Sequence, residues 1–139
     1  MTINNNKSEF NMGWVVGFIE SKGVFTTNTI KFSRKTKSGL KKYRYRNPVF
    51  YLVSSDRSAL EIIRDLLGMG KIDRHGLVFH LGIRRKDECL RLVDFLEGKL
   101  RSVHRIQQFA AWREMVLEWK SRARGEGVES GSELAPGSS

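Results

Sequence analysis

Trp14-Val15-Val16-Gly17-Phe18-Ile19-Glu20-Ser21-Lys22-Gly23-Val24-Phe25 is the stretch on which the reading of the fold turns. Its first half reads as a short buried helix, with Asn11 as N-cap and Gly23 as the left-handed residue that ends it. A helix apolar nearly all round has to be covered on more than one side, which places it at an interface. Gly13, Gly17 and Ser21 recur every four residues and make a face that lets a second backbone approach closely. With Trp14 and Phe18 they form the expected dimer contact. Spacing alone equally suits glycines packed beside a sheet.

Working outward, Val24 to Ser33 reads as a strand, Lys35 to Lys42 as a basic loop turning at Ser38-Gly39, and Tyr43 to Ser54 as the returning strand of a long hairpin. Pro48 cannot donate to a ladder and so marks an edge or a bulge. Ser55 or Asp56 caps a helix that buries Leu60, Ile63 and Leu67 and stops at Gly68. Met69 to Arg74 and Leu77 to Arg84 form a second hairpin through His75-Gly76. Lys86 to Glu97 makes a helix burying Leu90, Val93 and Leu96. Ser102 caps a last helix through Phe109, Trp112, Val116 and Trp119. The order is α-β-β-α-β-β-α-α, an α+β domain over residues 8–122 with one four-stranded antiparallel sheet. Residues 123–139, rich in Gly, Ser and Glu, read as a disordered tail.

A chain of 139 residues suits one domain with a modest core. Its formal charge of +10 favours a polyanionic partner, and the charge is clustered. From Ser21 through Ser55 there is no Asp or Glu, while Lys22, Lys31, Arg34, Lys35, Lys37, Lys41, Lys42, Arg44 and Arg46 all fall there. Cys89 is the only cysteine, so it forms no intramolecular disulfide and reads as a buried small hydrophobe in a reducing compartment. No apolar run approaches a membrane span, and the N-terminal residues carry neither a secretory nor a transit pattern. The chain is therefore expected to act inside the cell where it is made, or in an organelle, mitochondrion or chloroplast, whose genome encodes it.

The quoted stretch resembles the signature helix of the LAGLIDADG homing endonucleases. Phe50-x-Leu52 followed by Asp56, then Leu66-Leu67-Gly68-Met69-Gly70-Lys71-Ile72, resembles that family's strand, helix and glycine turn. Leu100-x-Ser102 with Phe109 and Trp112 resembles its C-terminal helix region, so the likeness covers roughly Asn11 to Lys120. The resemblance implies a saddle-shaped sheet lying on DNA and signature helices packed as a dimer core. One motif in a short chain implies a homodimer, or a dimer with a related chain. It also implies that the basic hairpin from Lys31 to Arg46 meets the nucleic acid, with Thr27, Thr29, Lys31 and Ser33 sharing one strand face. Lys71 and Arg74 on the second hairpin join that expected surface.

Cleavage in this family needs a carboxylate at the foot of each signature helix to hold divalent cations, since Mg²⁺ demands oxygen ligands. The family's acid is the eighth residue of the signature, and here the eighth residue is Lys22. Glu20 is two residues earlier, a rotation of ~200° around the helix, which aims it away from the site toward a local contact. The family's supporting glutamine and lysine correspond to Ser54 and His104. All three departures together imply that cutting has been lost, with no catalytic residue, no metal and no cofactor. A pair of Lys22 ammonium groups would instead neutralise phosphate without activating water.

Other signals are weaker. His75, His80 and His104 lack metal-ligand spacing, and His80 in an apolar strand reads as a satisfied structural histidine. Gly68-x-Gly70 reads as a turn and not a phosphate loop. Val49, Tyr51 and Val53 share a strand face that suits base stacking or a protein contact. The leading expectation is a cleavage-dead binder of duplex DNA or structured RNA, with a maturase-like or ribonucleoprotein role implied by the family alone. The alternatives are an active homodimeric endonuclease that requires Mg²⁺, and a protein-assembly subunit that uses the signature helix.

Overall fold

The hairpin after the quoted helix is the largest feature of the computed structural model, which describes residues 2–124, with side chains from 8 to 121. Strands β1 (Gly23–Thr36) and β2 (Gly39–Ser54) pair antiparallel without a break from Gly23 opposite Leu52 to Thr36 opposite Gly39. The segment from Lys35 to Lys42, expected to loop, turns only at Lys37 and Ser38. Thr36 Oγ1 closes that turn by donating to the Gly39 carbonyl at 2.7 Å. Charge density misled the sequence reading, because lysines on a two-stranded ribbon are solvated on either face and do not break the ladder. Pro48 lies where β2 borders no strand but β1, an edge position that needs no bulge.

Helix α1 (Thr2–Lys22) precedes the hairpin and corrects two expectations. Asn11 is mid-helix and not an N-cap, because no Gly or Pro before Gly13 interrupts the polar lead. Gly23 is not left-handed; it opens β1 at a point where a Cβ would stand 2.6 Å from the Ile19 carbonyl oxygen and 2.9 Å from the Phe50 ring. What Gly23 supplies is room for close approach.

Helix α2 (Arg57–Leu67) is capped as expected: Asp56 accepts from the Ser58 amide at 3.0 Å, and Gly68 is left-handed at φ 70°. Strands β3 (Lys71–His75) and β4 (Val78–Ile83) form the second hairpin, turning at Gly76 and Leu77, one residue later than expected. Helices α3 (Lys86–Leu96) and α4 (Val103–Arg124) complete the order. The sheet runs β1-β2-β4-β3, every pair antiparallel.

Alternation along the strands decides which face is covered. Phe50 and Leu52 of β2 and Leu81 and Ile83 of β4 are fully buried against Val15 and Ile19 of α1, Leu60 and Ile63 of α2, Leu92 and Leu96 of α3, and Val116 of α4. All four helices therefore share one face of the sheet, each such side chain contributing about 1.5–3 kcal/mol on burial. In α3, Cys89 and Leu92 are buried while Leu90 is only half-buried. Burial first, then Glu88 and Asp87, pushes the Cys89 thiol up to about 12, so it is the inert small hydrophobe expected.

The part of the expected tail that follows Arg124 lies outside the described residues. Among the described residues no helix is long and apolar enough to cross a membrane.

Candidate nucleic-acid interface

Four residues singled out in the sequence gather at one end of the sheet. Lys22, exposed, closes α1 directly before Gly23, which pairs with Leu52; Ser54 lies two residues past that rung. The entry to α4 joins them, because Glu20 Oε2 accepts from the amides of Arg101 at 2.9 Å and Ser102 at 2.6 Å, and from the Ser102 hydroxyl at 2.8 Å. Arg105 Nε adds a bond of 2.8 Å to the Glu20 carbonyl. His104, exposed, sits in the first turn of the same helix.

The contact of Glu20 is thus not local. Its carboxyl is held below the usual carboxylate range, by the Ser102 amide foremost, then the Arg101 amide and the Ser102 hydroxyl, against partial desolvation. A carboxylate there also meets the positive end of the α4 dipole. Ser102 was expected to cap α4 with its hydroxyl; that hydroxyl goes to Glu20. Nothing local in the sequence announces a bond between residues 82 apart. Ser54 is likewise occupied, its Oγ accepting from the Asp56 amide at 3.0 Å in the turn into α2.

Beyond the rung from Thr26 to Val49 the hairpin is a two-stranded ribbon, since β4 joins β2 only at Phe50. It projects roughly 33 Å at about 3.3 Å per residue. Thr27, Thr29, Lys31 and Ser33 do share one face, with Arg46, Arg44 and Lys42 across from them. That face continues from Phe25, whose ring packs on Phe109 and Trp112, so it is the helix side of the sheet. Arg46 donates to Thr27 Oγ1 at 3.3 Å. Lys35 shares the helix side, Arg34 and Lys41 lie on the other, and Lys37 is in the turn. Among the described residues the ion pairs all lie outside the ribbon, on Arg57, Arg64, Arg85 and Arg113.

The open face of the sheet has a different character. Phe32 stacks between Tyr43 and Tyr45 at 5.0 and 5.5 Å on the ribbon, with Arg34 over Tyr43 at 5.7 Å. Farther along, His75 stacks on His80 at 4.1 Å, and Tyr51 meets the His80 edge at 5.7 Å. Arg84 donates to the Tyr51 hydroxyl at 3.0 Å. Desolvation first, then His75 and Arg84, lowers the His80 imidazole below its usual range, Asp73 opposing. The sequence reading found Tyr51 and Val53 here but missed the histidine pair, which only the register of β3 on β4 reveals. Lys71 shares this face, while Arg74 lies on the helix side with Nε on the Gly76 carbonyl at 3.1 Å.

On α1, Val15 and Ile19 face the sheet while Gly13, Gly17 and Ser21 are exposed, and a Cβ built on either glycine meets nothing within 4 Å. Trp14 and Phe18 flank this strip, half-buried, their rings 5.6 Å apart.

A family model described as LAGLIDADG endonuclease matches residues 15–116. No curated protein matches the chain. Among solved structures, an archaeal intron-encoded homing endonuclease complexed with DNA is 27% identical with a TM-score of 0.61, the match covering 78% of this chain and 67% of that one. The homing endonuclease I-TnaI is 25% identical at a TM-score of 0.62, covering 83% of this chain and 74% of the other. The group I intron-encoded homing endonuclease I-CeuI, complexed with DNA, shares the fold at 15% identity and a TM-score of 0.64, with 84% and 58% covered.

Proposed function

The chain belongs to the LAGLIDADG endonuclease family, and from that premise we propose that it is a nucleic-acid-binding member that has lost phosphodiester cleavage. The observation that carries the proposal is that α1 ends on an exposed Lys22, the position that the resemblance to the signature helix implies for the family's metal-binding carboxylate. The residues present do not fit a divalent cation at this position. Lysine offers no oxygen ligand, and the nearest carboxylate along the helix, Glu20, is committed to three donors at the entry to α4. No step of the function is therefore routed through a metal.

Binding rests on the ribbon, whose cations have no acidic partner among the described residues and are set to neutralise phosphates. The DNA in the archaeal relative supports a nucleic acid as partner. The uncovered strip of Gly13, Gly17 and Ser21 supports packing of two such chains through α1. In that arrangement the two Lys22 ammonium groups approach the phosphates without activating water.

The test incubates the purified protein with a randomised duplex library and a structured intron RNA, with and without Mg²⁺, scoring retention and cutting. Retention without cuts supports a cleavage-dead binder. Mg²⁺-dependent cuts abolished by Glu20→Gln would overturn it and restore the nuclease.

A further inference from the structure

The groups that read a duplex lie at the margins of the open face, Asn28, Asn47, Arg34 and Lys41 on the ribbon and Lys71 and Arg84 at the other end. Sequence-specific contact in the major groove relies on Arg, Lys, Asn or Gln reaching base edges. The middle of this face instead carries Val24, Val49, Tyr51, Val53 and Val78, of which Val49 is already covered. What the strands bring together there is a row of π-faces crossing from β3 to β2: His75, exposed, stacked on His80, which abuts Tyr51. The Tyr51 ring lies across Gly82, 3.5 Å from where a Cβ would stand, and Arg84 holds it there through the hydroxyl and from 5.3 Å over the ring. The row is thus preorganised, with a guanidinium plane at its end.

Charge points the same way. Asp73 is the single carboxylate among the strand residues, against Lys71 and Arg84 beside the row and Arg34 and Lys41 farther along the same face of the ribbon. Apolar and aromatic surface within a basic frame matches a strand whose bases are unpaired, with π-faces available for stacking and phosphates in reach of the cations.

We propose that the open face of the sheet is a stacking platform for unpaired nucleotides, with His75, His80 and Tyr51 receiving the bases and the cations of the same face, Lys71, Arg84, Arg34 and Lys41, engaging the phosphates. This rests on the nucleic-acid-binding reading above and narrows it to single-stranded segments, RNA or DNA.

Fluorescence anisotropy of the full chain with a 12-nucleotide uridine RNA, the matching thymidine DNA and a duplex of equal length tests it. Single strands are expected to bind at least ten-fold tighter than duplex at equal salt, and the RNA and DNA arms tell the two sources apart. His75→Ala with Tyr51→Leu is expected to weaken single-strand binding about ten-fold or more, with the salt slope unchanged and duplex binding within two-fold. Tyr51→Phe keeps the ring and the Arg84 contact over it but loses the hydroxyl anchor, and is expected to bind far closer to the parent than Tyr51→Leu; His75→Ala alone, at an exposed position, shows part of the loss without risk to folding. Lys41→Gln, on the platform's face of the ribbon, is expected to weaken every arm and flatten the salt slope. Duplex binding equal to or tighter than single-strand binding, or indifference to the His75 and Tyr51 changes, overturns the platform and leaves the binding reading standing. Failure to bind any arm at low salt overturns both.

Discussion

Glu20 and Ser102 are joined across 82 positions by two hydrogen bonds, 2.6 Å from the amide and 2.8 Å from the hydroxyl of Ser102. They lock the foot of α1 to the entry of α4. That lock sets where the neighbouring Lys22 is presented and commits the one carboxylate that stands near it on the helix.

Glu20→Gln keeps the shape but weakens a charge-assisted acceptor. After discounting for solvent exposure the loss should be about 1 kcal/mol at neutral pH, read by urea unfolding. The sign follows from the lowered carboxyl. Above the ordinary value of 4.5 both states are ionised and the full contribution is present. It is lost as pH falls through the lower folded value. The wild type should therefore lose more stability than Glu20→Gln between pH 4.5 and the acid limit; parallel curves would refute the lock.

The His80 imidazole, lowered chiefly by desolvation, acts in a different window. Well above its ordinary value of 6.5 the ring is neutral in both states and carries no penalty. As pH drops below 6.5 the unfolded chain takes up the proton first, so stability falls toward the folded value. His75, Arg84 and Asp73 surround the ring, and His80→Gln should flatten stability between pH 6.5 and 4.5 while leaving the more acidic limb of Glu20 intact. Thermal unfolding against pH reads both.

Trp112 Nε1 is shared between the Thr26 carbonyl at 3.2 Å and the Val49 carbonyl at 3.0 Å, the two partners of one rung. Trp112→Phe keeps most of the apolar volume and leaves both carbonyls without that donor, at a cost of about 1–3 kcal/mol. Guanidinium unfolding should show the drop in midpoint, and an unchanged midpoint would mean that the rung relaxes toward another donor.

Gly23→Ala places a methyl group 2.6 Å from the Ile19 carbonyl oxygen, a backbone atom that cannot swing aside. Overpacking at this junction should cost about 1–3 kcal/mol. The matched change Gly13→Ala meets nothing in the protomer, so it should leave monomer stability alone while weakening self-association in sedimentation equilibrium.

Lys22→Ala should weaken nucleic-acid binding at low salt and reduce the slope of log K against log salt by about 1 per lysine that reaches a phosphate. Binding that tightens or stays level at low salt would remove Lys22 from the interface.

The order of elements, the Asp56 cap, the Gly68 stop and the core positions Leu60, Ile63, Phe109, Trp112 and Val116 were legible in the sequence. Each depends on neighbours within a turn or on a period of 3.6 residues, and such local preferences survive without a tertiary context. The substitution at Lys22 was legible for the same reason, as a residue type at a place in a motif. Three things were decided only by the fold. Glu20 found its partners 82 residues away, Gly23 owed its role to the Ile19 carbonyl and the Phe50 ring and not to its own dihedrals, and Thr27, Thr29, Lys31 and Ser33 fell on the helix side of the sheet while Tyr51, His75 and His80 converged on the other. Strand alternation says which residues share a face. Which of the two faces the helices cover is set by how distant segments pack, and no local pattern carries that information.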